Sequence, residues 1–105
     1  MTSDFELSIA NLSFLSDTSS FLLQTSSKST KLNDFIKNVI PKKDKAWLGD
    51  LKSWEISNLW ILKIADLCIE AYDQVFFDRG DEILLDLKDD KSFRKFKGII
   101  KESDL

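Results

Sequence analysis

The chain has 105 residues and a net charge of −3, with 43% hydrophobic and 31% charged residues, one proline and three glycines; that is the size and composition of one folded domain and excludes a disordered chain. It has no histidine and a single cysteine, Cys68, which removes the commonest general base, the Ser-His and Cys-His nucleophile pairs, an internal disulfide and CxxC zinc sites. The longest uncharged apolar run, Leu59 to Leu62, falls far short of the ~20 residues of a membrane helix, and the start MTSDFE is no signal peptide, so a reducing compartment, cytoplasmic or nuclear, without a membrane partner is expected.

In chain order, Phe5, Leu7 and Ile9 alternate with Glu6 and Ser8, the period of a half-buried strand. Leu12 and Phe14 resume the alternation one step out of register, which predicts a bulge or turn near Ala10 and Asn11. A helix through Phe5, Ile9 and Leu12 stays open as an alternative. SDTSS reads as a turn, Phe21 to Gln24 as a short strand and TSSKST as a polar loop. Leu32, Phe35, Ile36, Val39 and Ile40 then form one apolar helical stripe, with Thr30 as expected N-cap and Pro41 ending the helix at about Ile40. KAWLGDLKSWEIS predicts a β-hairpin turning through Leu48-Gly49-Asp50-Leu51, with Trp47 across from the Trp54/Ile56 face. Asn58 is expected to cap a helix running to about Tyr72. Its polar stripe of Lys63, Asp66, Glu70 and Asp73 leaves an apolar face wider than one sheet contact requires. Gln74 to Phe77 and Glu82 to Leu87 read as strands joined by the turn DRGD, and Asp89 or Asp90 caps a basic helix with Phe93, Phe96 and Ile100 inward and Gly98 interrupting it. The sum is a single small α+β domain over residues 1–105. A mostly antiparallel sheet, including the Trp-bearing hairpin, packs on two to three helices, the last a basic one at 90–101.

Charge is segregated along the chain. Residues 28–52 carry seven lysines against three aspartates and residues 88–101 six basic residues against two aspartates, so each segment is +4 and the remainder is −11. Catalytic chemistry finds little support: there is no GxGxxG or GxxxxGK[ST], and Gly49, Gly80 and Gly98 are too scattered to cradle a phosphate. Asp78, Asp81 and Glu82 gather at a predicted turn, where aspartates bond nearby N–H groups. Arg79-Gly80-Asp81 reads as part of that turn, Cys68 as a small inert hydrophobe, and Asn11-Leu12-Ser13 as a glycosylation sequon without a secretory setting. The expectation is a non-enzymatic binding module with no catalytic residues, cofactor, metal or small-molecule substrate.

Three tryptophans, at 47, 54 and 60, lie within fourteen positions, beside Lys42, Lys43, Lys45 and Lys52. Aromatic faces near lysines can stack bases while the ammonium groups hold phosphates; large aromatic side chains can equally fill the core of a small domain. Lys42, Lys43, Lys45 and Lys52 are therefore candidate phosphate contacts and Trp47 a candidate stacking platform. Trp54 and Trp60 are expected in the core. The alternative is a protein-protein interaction module (an adaptor, assembly factor or inhibitor, or a self-associating chain) that uses the exposed part of the broad helix face through Trp60 and Leu67.

The order strand (FLLQT), helix (KLNDFIKNVI), Trp-bearing hairpin (KAWLGDLKSWEIS), helix (LWILKIADLCIEAY) and strand (QVFFD) resembles the HARP-type module of annealing helicases. Trp54 sits nearest that family's hairpin tryptophan, and Phe35 resembles its buried helix aromatic. The likeness covers residues 21–78. It implies a small non-catalytic module that engages single-stranded or forked nucleic acid and assists a partner enzyme.

Overall fold

The computed structural model describes residues 7–14, 19–80 and 83–102. Strands β1 (Ile9–Phe14) and β2 (Ser20–Thr25) lead into helix α1 (Thr30–Asn38). The hairpin β3 (Lys45–Leu48) and β4 (Ser53–Ser57), helix α2 (Ile61–Ala71), strands β5 (Gln74–Asp78) and β6 (Leu84–Asp86) and helix α3 (Asp90–Glu102) follow. The six strands form one sheet in the order β3-β4-β2-β1-β5-β6. Every pair is antiparallel except β1 with β5, which run parallel. This is the expected α+β architecture with a mostly antiparallel sheet and a Trp-bearing hairpin.

Strand alternation sets the core. Ala10, Leu12 and Phe14 point inward from β1; Leu12 lies opposite Leu23 on one side and Phe77 on the other, and Phe14 lies opposite Phe21, which in turn faces Ile56. Leu32 and Ile36 of α1, Ile61, Ile64 and Cys68 of α2, and Phe96 and Ile100 of α3 belong to the same buried cluster. All three helices therefore cover one face of the sheet, with the Phe77 and Phe96 rings 4.8 Å apart where α3 meets β5.

The register expected at the N-terminus is corrected. β1 runs without a bulge, and the inward residue next to Leu12 is Ala10, not Ile9, which points to the other face. Leu7 is exposed, and Phe5 lies outside the described residues. A reciprocal clamp fixes this register: the Ser8 backbone N–H donates to Asp73 Oδ2 at 3.0 Å, the Asp73 N–H to Ser8 Oγ at 3.0 Å, and the Gln74 N–H to the Ser8 carbonyl at 3.0 Å.

Three ends also differ by a residue or more. Ser29, rather than Thr30, caps α1, its Oγ accepting from the Leu32 N–H at 3.3 Å. Ser57 caps the 3₁₀ turn Asn58–Trp60 that precedes α2, accepting from the Leu59 N–H at 3.3 Å. Asn58 itself is buried, and its Oδ1 has no partner among the described residues. The hairpin loop spans residues 49–52, one step beyond the expected turn, and puts Lys52 in the left-handed region at φ 49°. Asp89 caps α3 as expected, accepting from the Ser92 N–H at 3.0 Å. Of the DRGD turn, Asp81 falls outside the described residues together with Glu82, and Gly80 takes φ 64°.

Gly98 sits in mid-α3, and a β-carbon added there meets nothing within 4 Å. Gly98→Ala is therefore expected to raise stability by about 1 kcal/mol, because alanine loses less backbone entropy in a helix. A higher urea midpoint with an unchanged m value checks it.

Candidate functional site

A groove of about 780 Å³ lies between α1 and the β2–β4–β3 end of the sheet. Its apolar lining is set by the pairing that builds the sheet. Leu23 lies opposite Trp54, and Trp54 opposite Trp47, so three side chains of one row face α1, whose Leu32 and Ile36 complete the lining. Trp54 is half-buried, whereas Trp47, on the edge strand, remains 55% exposed. The two indoles meet edge-on, with centroids 5.3 Å apart at 66°, a favoured geometry that contributes about 0.5–1.5 kcal/mol beyond burial. At the far end the Tyr72 hydroxyl donates to the Ser27 carbonyl at 2.6 Å, tying the β2–α1 loop to the end of α2.

Three lysines stand around this lining: Lys28 in the loop before α1, Lys37 on α1 and Lys52 in the hairpin turn, all exposed. Among the described residues no carboxylate lines the groove.

The expected site residues separate into two groups. Trp47 and Lys52 come together in the groove. Lys42 and Lys43 lie in a 3₁₀ turn (Lys42–Asp44) before β3, at the opposite end of that strand from Lys52. Lys43 borders a separate hollow of about 430 Å³ that Asp44 and Glu55 also line. Lys45 is half-buried, and its ammonium donates to the Ile36 and Lys37 carbonyls, the latter at 3.0 Å, capping the end of α1; this assigns it a structural role. Lys28 and Lys37 were counted in the basic segment but not singled out, since nothing in their spacing shows that α1 folds back beside the hairpin.

The alternative pair, Trp60 and Leu67, lies on the α2 side of the fold. Trp60 is half-buried, edge-on to Phe35 at 5.9 Å, and its indole N–H donates to Asp44 at 3.1 Å. Leu67 is half-buried against the core. The exposed apolar residues of this region are Leu59 and Leu62, at 73% and 42%. The two basic segments do not converge: α3 packs on β6, at the sheet edge opposite β3.

Elsewhere the chemistry is sparse. Among the described residues no group of three or more His, Cys, Asp or Glu gathers as a metal site would require, and no helix is long and apolar enough to cross a membrane. Compared with protein-family models, curated proteins and solved structures, the chain matches none.

Burial pushes the Cys68 thiol from 9.0 up to about 12 and raises the Tyr72 hydroxyl above its ordinary value of 10.0. Below pH 9 both the folded and unfolded chains keep the Cys68 proton and stability is unaffected. Between about 9 and 12 only the unfolded chain releases it, so stability falls as pH rises, by roughly 1 kcal/mol or more per pH unit. Urea midpoints at about pH 8 and pH 10.5 should show this loss. Cys68→Ala should start lower, from the cavity it leaves, but vary less with pH.

Proposed function

We propose that the chain is a non-catalytic accessory domain that holds single-stranded nucleic acid in the groove between α1 and the β3–β4 hairpin. The observation that carries this reading is the lining itself: three lysines, two tryptophans and no carboxylate, in a chain whose acids outnumber its bases by three. Trp47 offers a base-stacking face at the groove mouth, Trp54 backs it, and Lys28, Lys37 and Lys52 neutralise phosphates on either side. A single strand is favoured over a duplex because stacking on an indole needs an unpaired base with an open π-face. The order strand, helix, hairpin, helix, strand over residues 20–78 is also the order that the HARP-type resemblance implies, and it supports the same reading.

Fluorescence anisotropy with labelled single-stranded DNA and RNA tests it. Binding should appear at ~50 mM salt and weaken with added salt, with a log–log slope of about −0.7 for each phosphate neutralised. Lys28→Gln, Lys37→Gln and Lys52→Gln should each flatten that slope by one such step, while Lys42→Gln with Lys43→Gln should change it little. Trp47→Ala should cost about 1–3 kcal/mol. Undetectable binding at this salt, or a loss confined to the Lys42/Lys43 variant, sinks the reading.

Lys52→Gly separates binding from folding. Glycine adopts a positive φ without the roughly 1–2 kcal/mol penalty of an L side chain, so this variant should bind more weakly and yet unfold at higher urea.

A further inference from the structure

The sheet has a second face that none of the three helices covers. Strand residues alternating with the core point into it, and the pairing sets them side by side: Leu22 opposite Glu55, Asp78 opposite Leu84, and Phe76 opposite Asp86. Leu84 is 70% exposed, and Leu22 and Phe76 are half-buried. Two of the three carboxylates are anchored by their own sheet: Asn11 Nδ2 and Ser13 Oγ donate to Asp78 at 2.9 and 2.8 Å, and Ser20 Oγ to Glu55 at 2.7 Å. Among the described strand residues on this face there is no lysine or arginine. The sheet is thus electrically two-sided, with the lysine-lined groove on one side and a face of strand carboxylates and apolar side chains on the other, which Lys43 of the turn before β3 borders beside Glu55.

We propose that this open face docks a basic amphipathic helix of a partner protein. The inference rests on the two-sidedness of the sheet and is independent of the groove's ligand. Charge complementarity selects the sign: a polyanion is repelled by Glu55, Asp78 and Asp86, whereas lysines or arginines flanking an apolar stripe meet both the carboxylates and Leu22, Phe76 and Leu84. Geometry selects the element, because helices pack on the faces of sheets and strands add at their edges, as this chain's own helices do on the opposite side. Six strands about 4.8 Å apart and about five residues long give a face of roughly 24 by 17 Å, room for a helix about 10 Å across. A second copy of the chain is the poorer occupant. Face-to-face pairing would set the three carboxylates against their own kind.

The test is NMR of the labelled full chain titrated with a synthetic leucine–lysine amphipathic helix and with its leucine–glutamate counterpart. The lysine peptide should shift amides of β4, β2, β1, β5 and β6, and its affinity should fall roughly tenfold or more with Glu55→Gln, Asp78→Asn and Asp86→Asn combined. Because Asp78 holds Asn11 and Ser13, the combined variant could lose its fold. Leu84→Lys, at a position already open to solvent, supplies an independent loss of binding in a folded chain. Equal binding of the glutamate peptide, shifts centred on Asp66 and Glu70 of α2, no binding up to ~1 mM, or sedimentation showing dimerisation through this face would each overturn the proposal.

Discussion

The parallel pairing of β1 with β5 governs how the rest of the chain is arranged. It joins Ser8 to Asp73 across 65 residues, and a parallel neighbour cannot be reached through a tight turn. The intervening chain must leave β1, build β2, α1 and the β3–β4 hairpin outward on one side, and return through α2 to the other side of β1. Because Ala10, Leu12 and Phe14 all face the same way, the crossover has a single apolar surface on which to settle. α1 and α2 therefore share one face, and α3 joins them when the Phe96 ring meets Phe77. The clamp of Ser8 with Asp73 is exposed and modest in energy. Its position matters more, since it fixes the parallel pair at the residue where the two strands begin, and a slip of one residue would turn the whole inward row of β1 to the other face.

From that arrangement follows the separation of charge. A sheet covered on one side offers two environments along every strand, and the acids Glu55, Asp78 and Asp86 take the outward positions of β4, β5 and β6. Lys28, Lys37 and Lys52 are carried by a loop, a helix and a hairpin turn that all border the covered side, whereas Lys43 borders the hollow beside Glu55. Net charge averages over both sides and so conceals each. An acidic chain can offer a basic groove when its acids are held in strands facing away, and the field that steers a ligand depends on the local distribution rather than the sum.

Elements with a strong period were legible in the sequence: α1 from its five-residue stripe, the Trp-bearing hairpin, and α3 from Phe93, Phe96 and Ile100. The N-terminal strand was misread in register because Ala10 is too small to count as a core signal, although it is buried opposite Val75. Caps shifted by a residue because adjacent Ser29 and Thr30, or Ser57 and Asn58, carry equivalent oxygen acceptors, and only the backbone at each site decides between them. In the candidate site, Trp47 and Lys52 were found from proximity in sequence. For Lys45, spacing from Trp47 says nothing of the α1 carbonyls that its ammonium reaches. Lys28 and Lys37 needed the fold, since their approach to the hairpin is a property of how α1 lies on the sheet.

Two local conflicts fall in the same hairpin. Trp47 leaves a large apolar side chain 55% exposed on the edge strand, although burial of a side chain that size would favour folding. Five residues on, Lys52 holds a backbone conformation that glycine or asparagine adopts at lower cost. Neither contributes to the core: Ile56 and the partly buried Trp54 supply the hairpin's contacts with it. Local propensity and global fold agree through most of this chain, and positions that break the agreement concentrate where something other than stability sets the residue. Trp47 and Lys52 are the two hairpin side chains that reach the groove mouth as aromatic face and cation. The same strand edge that leaves Trp47 uncovered is what makes it accessible to a ligand.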